Sequence, residues 1–331
     1  MRHFGRRLTF AITGMAALLT MSALPVVQAA ANSATGGNGL RVSKVRNDIT
    51  VKPGDHTTVS ITVTNVTNSP ATLQAIVNDF IANPDESGAP TLLLNNQFAP
   101  NHSLKRFIQP ISNFTLQPNQ STTIPVSINV PKGTAGGGYY GVVRFASAST
   151  SNKSQVNVAG SVGSLILLTV PGKLVEKLSI ASFDARVNDR PNSFFTNRHG
   201  INAVLRMQNE GNIQEAPFGK ILLKNRSGKV LATYEINAAT PPGNVLPDSV
   251  RKFAIPLGNK VGNIGQFKLE GNFGYGSSGQ LLSASTTFYV IPVWLILLII
   301  VIIALVVLLI FGGPKALRAY NQRVLSRAGR R

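Results

Sequence analysis

The side chains of this 331-residue sequence that can act as acids, bases, nucleophiles or metal ligands are few: 4 histidines, 13 carboxylates and no cysteine. His3, His56, His102 and His199 have no second histidine or carboxylate at metal-ligand spacing, so no zinc-peptidase or facial-triad arrangement is present. Asp79, Asp85 and Glu86 flank one expected turn, and Asp184 and Asp189 flank another. Neither group has the alternating oxygens of a calcium loop, so both read as solvated turn acids. There is no Gly-x-Ser-x-Gly elbow, no P-loop and no facing carboxylate pair of the kind that cleaves glycosides. The expectation is therefore a protein that is not an enzyme and needs no cofactor or metal.

Binding chemistry is better represented. In Pro131-Lys-Gly-Thr-Ala-Gly-Gly-Gly-Tyr-Tyr-Gly-Val-Val-Arg-Phe145, a glycine run leads into Tyr139, Tyr140 and Arg144. Adjacent residues of a strand point to opposite faces, so one tyrosine is expected in a core and the other outside. The outer ring, with Arg144, suits stacking on a sugar or gripping an acidic polymer. Gly211, within Asn209-Glu-Gly-Asn212, reads as a backbone device at a sharp turn. Leu246-Pro-Asp-Ser-Val250 resembles a sortase sorting signal only faintly, lying about 40 residues ahead of the expected membrane segment, and is rejected as one.

The ends of the chain say where these side chains work. Residues 1–31 carry Arg2, Arg6 and Arg7, an apolar run from Leu8 to Leu24, and small residues around Ala29 to Ala31: a secretory signal peptide. Residues 291–311 give about 20 apolar positions, enough to cross roughly 30 Å of hydrocarbon as one helix. Tyr289 and Trp294 mark the outer interface, and Gly312-Gly313-Pro314 is expected to end the span. The tail, 312–331, holds Lys315, Arg318 and four further arginines without an acid, which makes it cytoplasmic by the positive-inside rule. Leu317, Tyr320, Val324 and Leu325 can form the apolar side of a short basic helix on anionic lipid.

Formal charge is +19, from 32 bases and 13 acids. Nine of the bases lie in the signal peptide and tail, leaving 23 against 13, or +10, outside the cell. That placement argues against nucleic acid as a partner and for acidic polymers or lipid headgroups. A cysteine-free exported region of this size points to a bacterial cell surface.

Between the ends, period-two alternation recurs in short runs separated by turn residues, with no amphipathic helix among them. Thr57–Thr64, Ala71–Ala82, Ser121–Val130, Tyr139–Ala146 and Ser161–Val170 are expected strands of a first sandwich, 40–171. After Pro171-Gly-Lys173, seven more are expected at Ile180–Val187, Ile201–Asn209, Lys220–Asn225, Lys229–Ile236, Arg251–Leu257, Gly265–Tyr275 and Leu281–Val290. They form a second sandwich, 173–290, with hairpins at Asn225–Lys229 and Tyr275–Gln280. The expected fold is all-β: two tandem immunoglobulin-like sandwiches, a signal peptide and one C-terminal transmembrane helix.

This layout resembles the WxL-interacting proteins of Gram-positive cell surfaces. The residues carrying the likeness are Val51-Lys-Pro-Gly54, Val59-Ser-Ile-Thr-Val-Thr-Asn65 and Gly137–Phe145 in the first half. In the second they are Leu205-Arg-Met-Gln-Asn209, Asn244-Val-Leu-Pro-Asp-Ser249 with Arg251 and Phe253, and Gly265-Gln-Phe267. The resemblance implies a peptidoglycan-binding first sandwich and a host- or partner-binding second one. The expected function is a membrane-anchored binding protein that engages cell-wall polymer or another surface protein. A structural or adhesin-assembly module working through sheet edges, and a wall-processing enzyme, are the alternatives. The sequence points to no particular oligomeric state.

Overall fold

The computed structural model describes residues 33–35, 39–148 and 160–328. The expected signal peptide, 1–31, lies outside the described residues. The chain is mostly β, followed by one apolar helix. The first ten strands are β1 Ser33–Thr35, β2 Leu40–Ser43, β3 Arg46–Thr50, β4 His56–Asn65, β5 Ala71–Ala82, β6 Pro90–Leu92, β7 Phe114–Leu116, β8 Ser121–Asn129, β9 Gly137–Ser147 and β10 Ser161–Val170. They form two facing sheets: β1-β2-β4-β8, and β3-β10-β9-β5-β6 with β7 also paired to β5. Alternation decides what enters the space between them. Val59, Ile61 and Val63 of β4 meet Leu73, Val143, Phe145 and Ile166 in one hydrophobic cluster.

Nine further strands follow: β11 Leu178–Val187, β12 Arg190–Pro191, β13 Phe194–Phe195, β14 Asn202–Asn209, β15 Phe218–Asn225, β16 Val230–Ile236, β17 Ser249–Pro256, β18 Gly265–Tyr275 and β19 Gln280–Val290. They form the sheets β12-β11-β14-β17 and β13-β19-β18-β15-β16. A second cluster containing Leu205, Met207, Ile221, Phe273 and Phe288 fills the space between them. Both expected hairpins are present, with Gly228 at φ +81°, Gly276 at +72° and Gly279 at +69° supplying the left-handed positions their turns require. The alternation rule missed β1, β2, β3, β6, β7, β12 and β13, each too short to show a period.

The helix α1 runs Val293–Ala328, and its stretch Val293–Lys315 is long and apolar enough to cross a bilayer, with none of its residues buried. It starts two residues later than expected, because Ile291 still belongs to the sheet: its N–H donates to Phe195 O at 2.8 Å. Pro292 then accepts from Leu295 and Ile296 at the first turn. Gly312-Gly313-Pro314 does not interrupt the helix, which carries Pro314 in its interior and continues to Ala328. A single proline removes one ladder bond, and the good helix formers after it, Ala316, Leu317 and Arg318, allow the helix to continue.

Candidate binding cleft between the two sheet pairs

The residues singled out by sequence lie on β9, and the structure separates them. Tyr139 is half-buried in the first cluster, its ring 5.0 Å from that of Phe107, and its hydroxyl donates to Ala135 O at 2.9 Å. Tyr140 points to the opposite face, as alternation requires, but only 2% of it is exposed. That outer face is covered: Phe80, Tyr140, Val142 and Leu167 form a third cluster, against which Leu246 of the second sheet pair packs. The expectation of an exposed tyrosine is therefore corrected, because the second sheet pair covers the face on which Tyr140 lies. Burial raises the Tyr140 phenol well above its ordinary range, and its hydroxyl donates to Gln214 Oε1 at 2.9 Å. Arg144 shares that face with Val142 between them, placing it roughly 13 Å along the strand from Tyr140. It donates instead to Asn78 Oδ1 and Ser161 Oγ, each at 3.0 Å, so the two do not form one clamp.

Besides the Tyr140–Gln214 bond, two contact regions frame the space between the sheet pairs. At one, the glycine run meets the turn after β14. Gly138 N–H donates to Asn212 O at 2.8 Å, and Asn212 Nδ2 donates to Gly136 O at 3.0 Å and Lys173 O at 2.9 Å. A Cβ on Gly136 would stand 2.8 Å from Gly172 Cα, so the glycine is there for close backbone approach. Gly211 is the backbone device expected, since a Cβ would meet Val175 O at 2.1 Å. The second contact is charged. Glu86, in the turn between β5 and β6, accepts both Nε and Nη2 of Arg206 on β14, the Nε bond at 2.6 Å. Its carbonyl accepts from Lys252 N–H at 2.8 Å. Lys252 in turn reaches Asp189 at 2.6 Å, and Arg186 holds Asp184 at 2.5 Å. The paired guanidinium keeps the Glu86 carboxyl below its ordinary value.

Asp79, Glu86 and Asp184 are not free in solvent, which corrects their reading as solvated turn residues. Asp79 is fully buried, accepting from Ala99 N–H at 2.9 Å and Lys105 N–H at 2.8 Å, which ties the 99–105 segment to β5. Asp85 and the exposed Asp189 fit the solvated-turn reading, Asp85 accepting from Ser87 N–H at 2.8 Å. His102 Nδ1 lies 2.6 Å from Gly138 O, a structural bond. No group of three His, Asp or Glu side chains suited to a metal occurs among the described residues.

Between the two contacts lies a cleft. One cavity of about 100 Å³ is walled by Phe80, Pro90, Leu165, Leu167 and Leu246, with Arg46 and Arg251 at its polar end. An adjoining cavity of about 300 Å³ shares Phe80, Ala82, Leu246 and Ser249 with it and extends past His102 and Tyr140. Arg46, from β3, is committed: it donates to Asp48 at 2.8 Å and to Pro242 O at 2.8 Å. Arg251, on β17, is not. It donates to Asn244 O at 2.8 Å, its Nε is buried without a partner, and no acid pairs with it among the described residues. Desolvation first, and then Arg46, lower its pKa. Gly88 and Gly243 make room for the guanidinium, since a Cβ on either would come within 2.5 Å of Arg251 atoms. A half-buried cation with open donors beside apolar walls is equipped to take a carboxylate or carbonyl carried by an apolar group. Arg251 and Phe253 stood out in the sequence only through the family resemblance; here the Arg251 guanidinium lies 5.4 Å from the Phe253 ring centre.

One more buried group is unsatisfied. Glu215 accepts from Gly276 N–H at 3.0 Å through Oε2, while Oε1 has no partner. Burial, and then the nearby Glu176 carboxylate, raise its pKa to about 7. At the opposite end of the same sheet stand the expected membrane flanks. Tyr289 stacks on Phe194 at 5.1 Å, Trp294 is 58% exposed at the start of α1, and Lys315 and Arg318 follow the apolar run that ends at Phe311.

No protein-family model and no curated protein matches the sequence. Solved structures do align with it. One is a chain of the chaperone–tip adhesin complex of CFA/I fimbriae biogenesis, at 12% identity and TM-score 0.38, covering 76% of this chain and 99% of that one. Another is the class 5 fimbrial chaperone CfaA, at 12% and 0.37, covering 77% and 100%. A chain of the Salmonella enterica SafA pilin–SafB chaperone complex aligns at 12% and 0.35, covering 78% and 98%.

Proposed function

We propose that this chain is a non-enzymatic binding protein of the bacterial cell surface, held by α1 in the membrane with its basic tail in the cytoplasm. In this reading each sheet pair is an immunoglobulin-like domain, 40–171 and 173–290, and the cleft between them seats a segment of a second surface protein. The carrying observation is the guanidinium of Arg251, without an acid partner among the described residues and with its Nε unsatisfied, at the end of an apolar cleft. Apolar walls suit side chains of a polypeptide better than the hydroxyls of a glycan. The resemblance to WxL-interacting proteins supports the same layout.

The wall-polymer reading retains one observation, the +10 surplus of the exported region. It loses its stacking platform, because Tyr139 and Tyr140 are packed away. Binding of vesicles carrying the full chain to cell walls separates the two. Binding should disappear when wall-associated proteins are stripped and persist when the acidic polymer is removed. Undiminished binding to protein-free walls would overturn the protein-partner reading.

A further inference from the structure

The C-terminal sheet pair has a charged end that the cleft does not use. Gly265, the first residue of β18, pairs with Val290, the last of β19, and Val290 precedes the start of α1 by three residues. At most ~3.5 Å per residue, this end of the sheet lies within about 10 Å of the helix. Asn225 pairs with Phe267, so the β15–β16 hairpin tip hangs from the same end, as does the 257–264 loop that feeds β18. Phe195 pairs in parallel with Val290, so the chain leaving β13 also emerges here.

These three segments carry Arg226 and Lys229, Lys260, and Arg198. No acid occurs in 194–209, 225–234 or 257–269. The nearest carboxylate, Glu270, is held by Lys224 and by Lys268 at 2.8 Å. Arg226, Lys229 and Lys260 are exposed and make no ion pair among the described residues. Arg226 and Lys260 line a hollow of about 880 Å³ with Ser227, Leu231 and Gln266, and Ile264, 48% exposed, stands at its rim. A smaller hollow of about 220 Å³ adjoins it through Arg226 and Gln266. The far end of the sheet is the opposite in character, with Glu176 and Glu215 against the β18–β19 turn.

We propose that the hollow between the β15–β16 hairpin and the 257–264 loop binds an anionic phospholipid headgroup of the membrane that α1 spans, with Arg226 and Lys260 on the phosphate and Ile264 dipping into the interface. This rests on the membrane-anchored reading and is independent of the cleft. Each cation near an anionic surface contributes about 1 kcal/mol, so each one removed should weaken the contact about fivefold. The contact holds the cleft at a fixed height above the bilayer.

The absence of cysteine allows a single label. The full chain with Ser227→Cys carrying a fluorophore is placed in vesicles of phosphatidylcholine, with or without phosphatidylglycerol, doped with a headgroup-linked nitroxide quencher. Strong quenching is expected only with phosphatidylglycerol, falling about fivefold in Arg226→Gln or Lys260→Gln and on raising salt. A label at Ser278, in the far turn, should report none. Quenching indifferent to lipid charge or to both substitutions, in a chain that resists alkaline extraction, would overturn the headgroup site alone. A chain washed off by alkali would overturn the anchor reading and the site with it. Loss of the quenching in phosphatidylglycerol vesicles on adding soluble polyglycerol phosphate carrying less phosphate than the lipid would overturn the lipid assignment in favour of a polymer.

Discussion

Arg206 and Arg251 sit on neighbouring strands of one sheet, yet the fold treats them differently. Arg206 lies on the outer face of β14 and is closed by Glu86 from the other sheet pair. Arg251, opposite Met207 on the core-facing side of β17, projects from the open edge, and a carbonyl is its one hydrogen-bond partner among the described residues. The pKa of Arg206 is raised by its partner, while that of Arg251 is lowered by desolvation. A charge closed within the molecule has its desolvation offset by its partner, whereas one left unpaired costs stability in the free protein, and under the proposed function that cost is recovered when a segment binds. Glu215 belongs with Arg251: buried, half-satisfied, and displaced toward its neutral form.

This contrast predicts opposite responses to pH and to substitution. The largest effect belongs to Glu215. Its folded pKa of about 7 lies above the ordinary 4.5, so its contribution is full below pH 4.5 and is lost as pH rises through about 7. That loss amounts to about 3 kcal/mol, and denaturant titrations of Glu215→Gln across this range should lack it. Glu86 works in the other direction, its pKa being lowered, so its share is lost as the solution is acidified. Arg206→Met, leaving that carboxylate unpaired at a partly exposed site, should cost about 2 kcal/mol, and a compensating Glu86→Leu should recover part of it. Tyr140→Phe strands Gln214 and should cost about 1 kcal/mol in the same assay. The smallest change has the opposite sign: Arg251→Met should raise the unfolding free energy slightly, by up to about 1 kcal/mol. A marked destabilisation there would remove the distinction between the two arginines.

Most of the fold was legible because it depends on alternation and turn chemistry, which are local. Ala71–Ala82, Ser161–Val170 and Gly265–Tyr275 have in the structure the bounds their patterns set, and the glycine turns fall where positive φ is needed. The cleft was not legible, because alternation says which face a residue takes and not what covers that face. Tyr140 faces away from its own core as expected and is buried by Leu246, about a hundred residues later. Glu86 read as a turn acid because its partner is 120 positions away. The glycine run was the available signal, since Gly136 to Gly138 marked a close backbone approach whose other side, Asn212, lay in the turn that Gly211 also marked.

The central claim is that the cleft seats a protein segment through Arg251, and site-specific crosslinking tests it most directly. Ser249 lines both cavities, so a photo-crosslinking residue placed there in the full chain, irradiated in living cells, samples whatever occupies them. The account predicts one protein adduct, its crosslinked peptide carrying apolar side chains and a carboxylate, that is lost in Arg251→Met while the chain remains folded and in the membrane. An adduct that survives Arg251→Met, or a glycan adduct in its place, would contradict it.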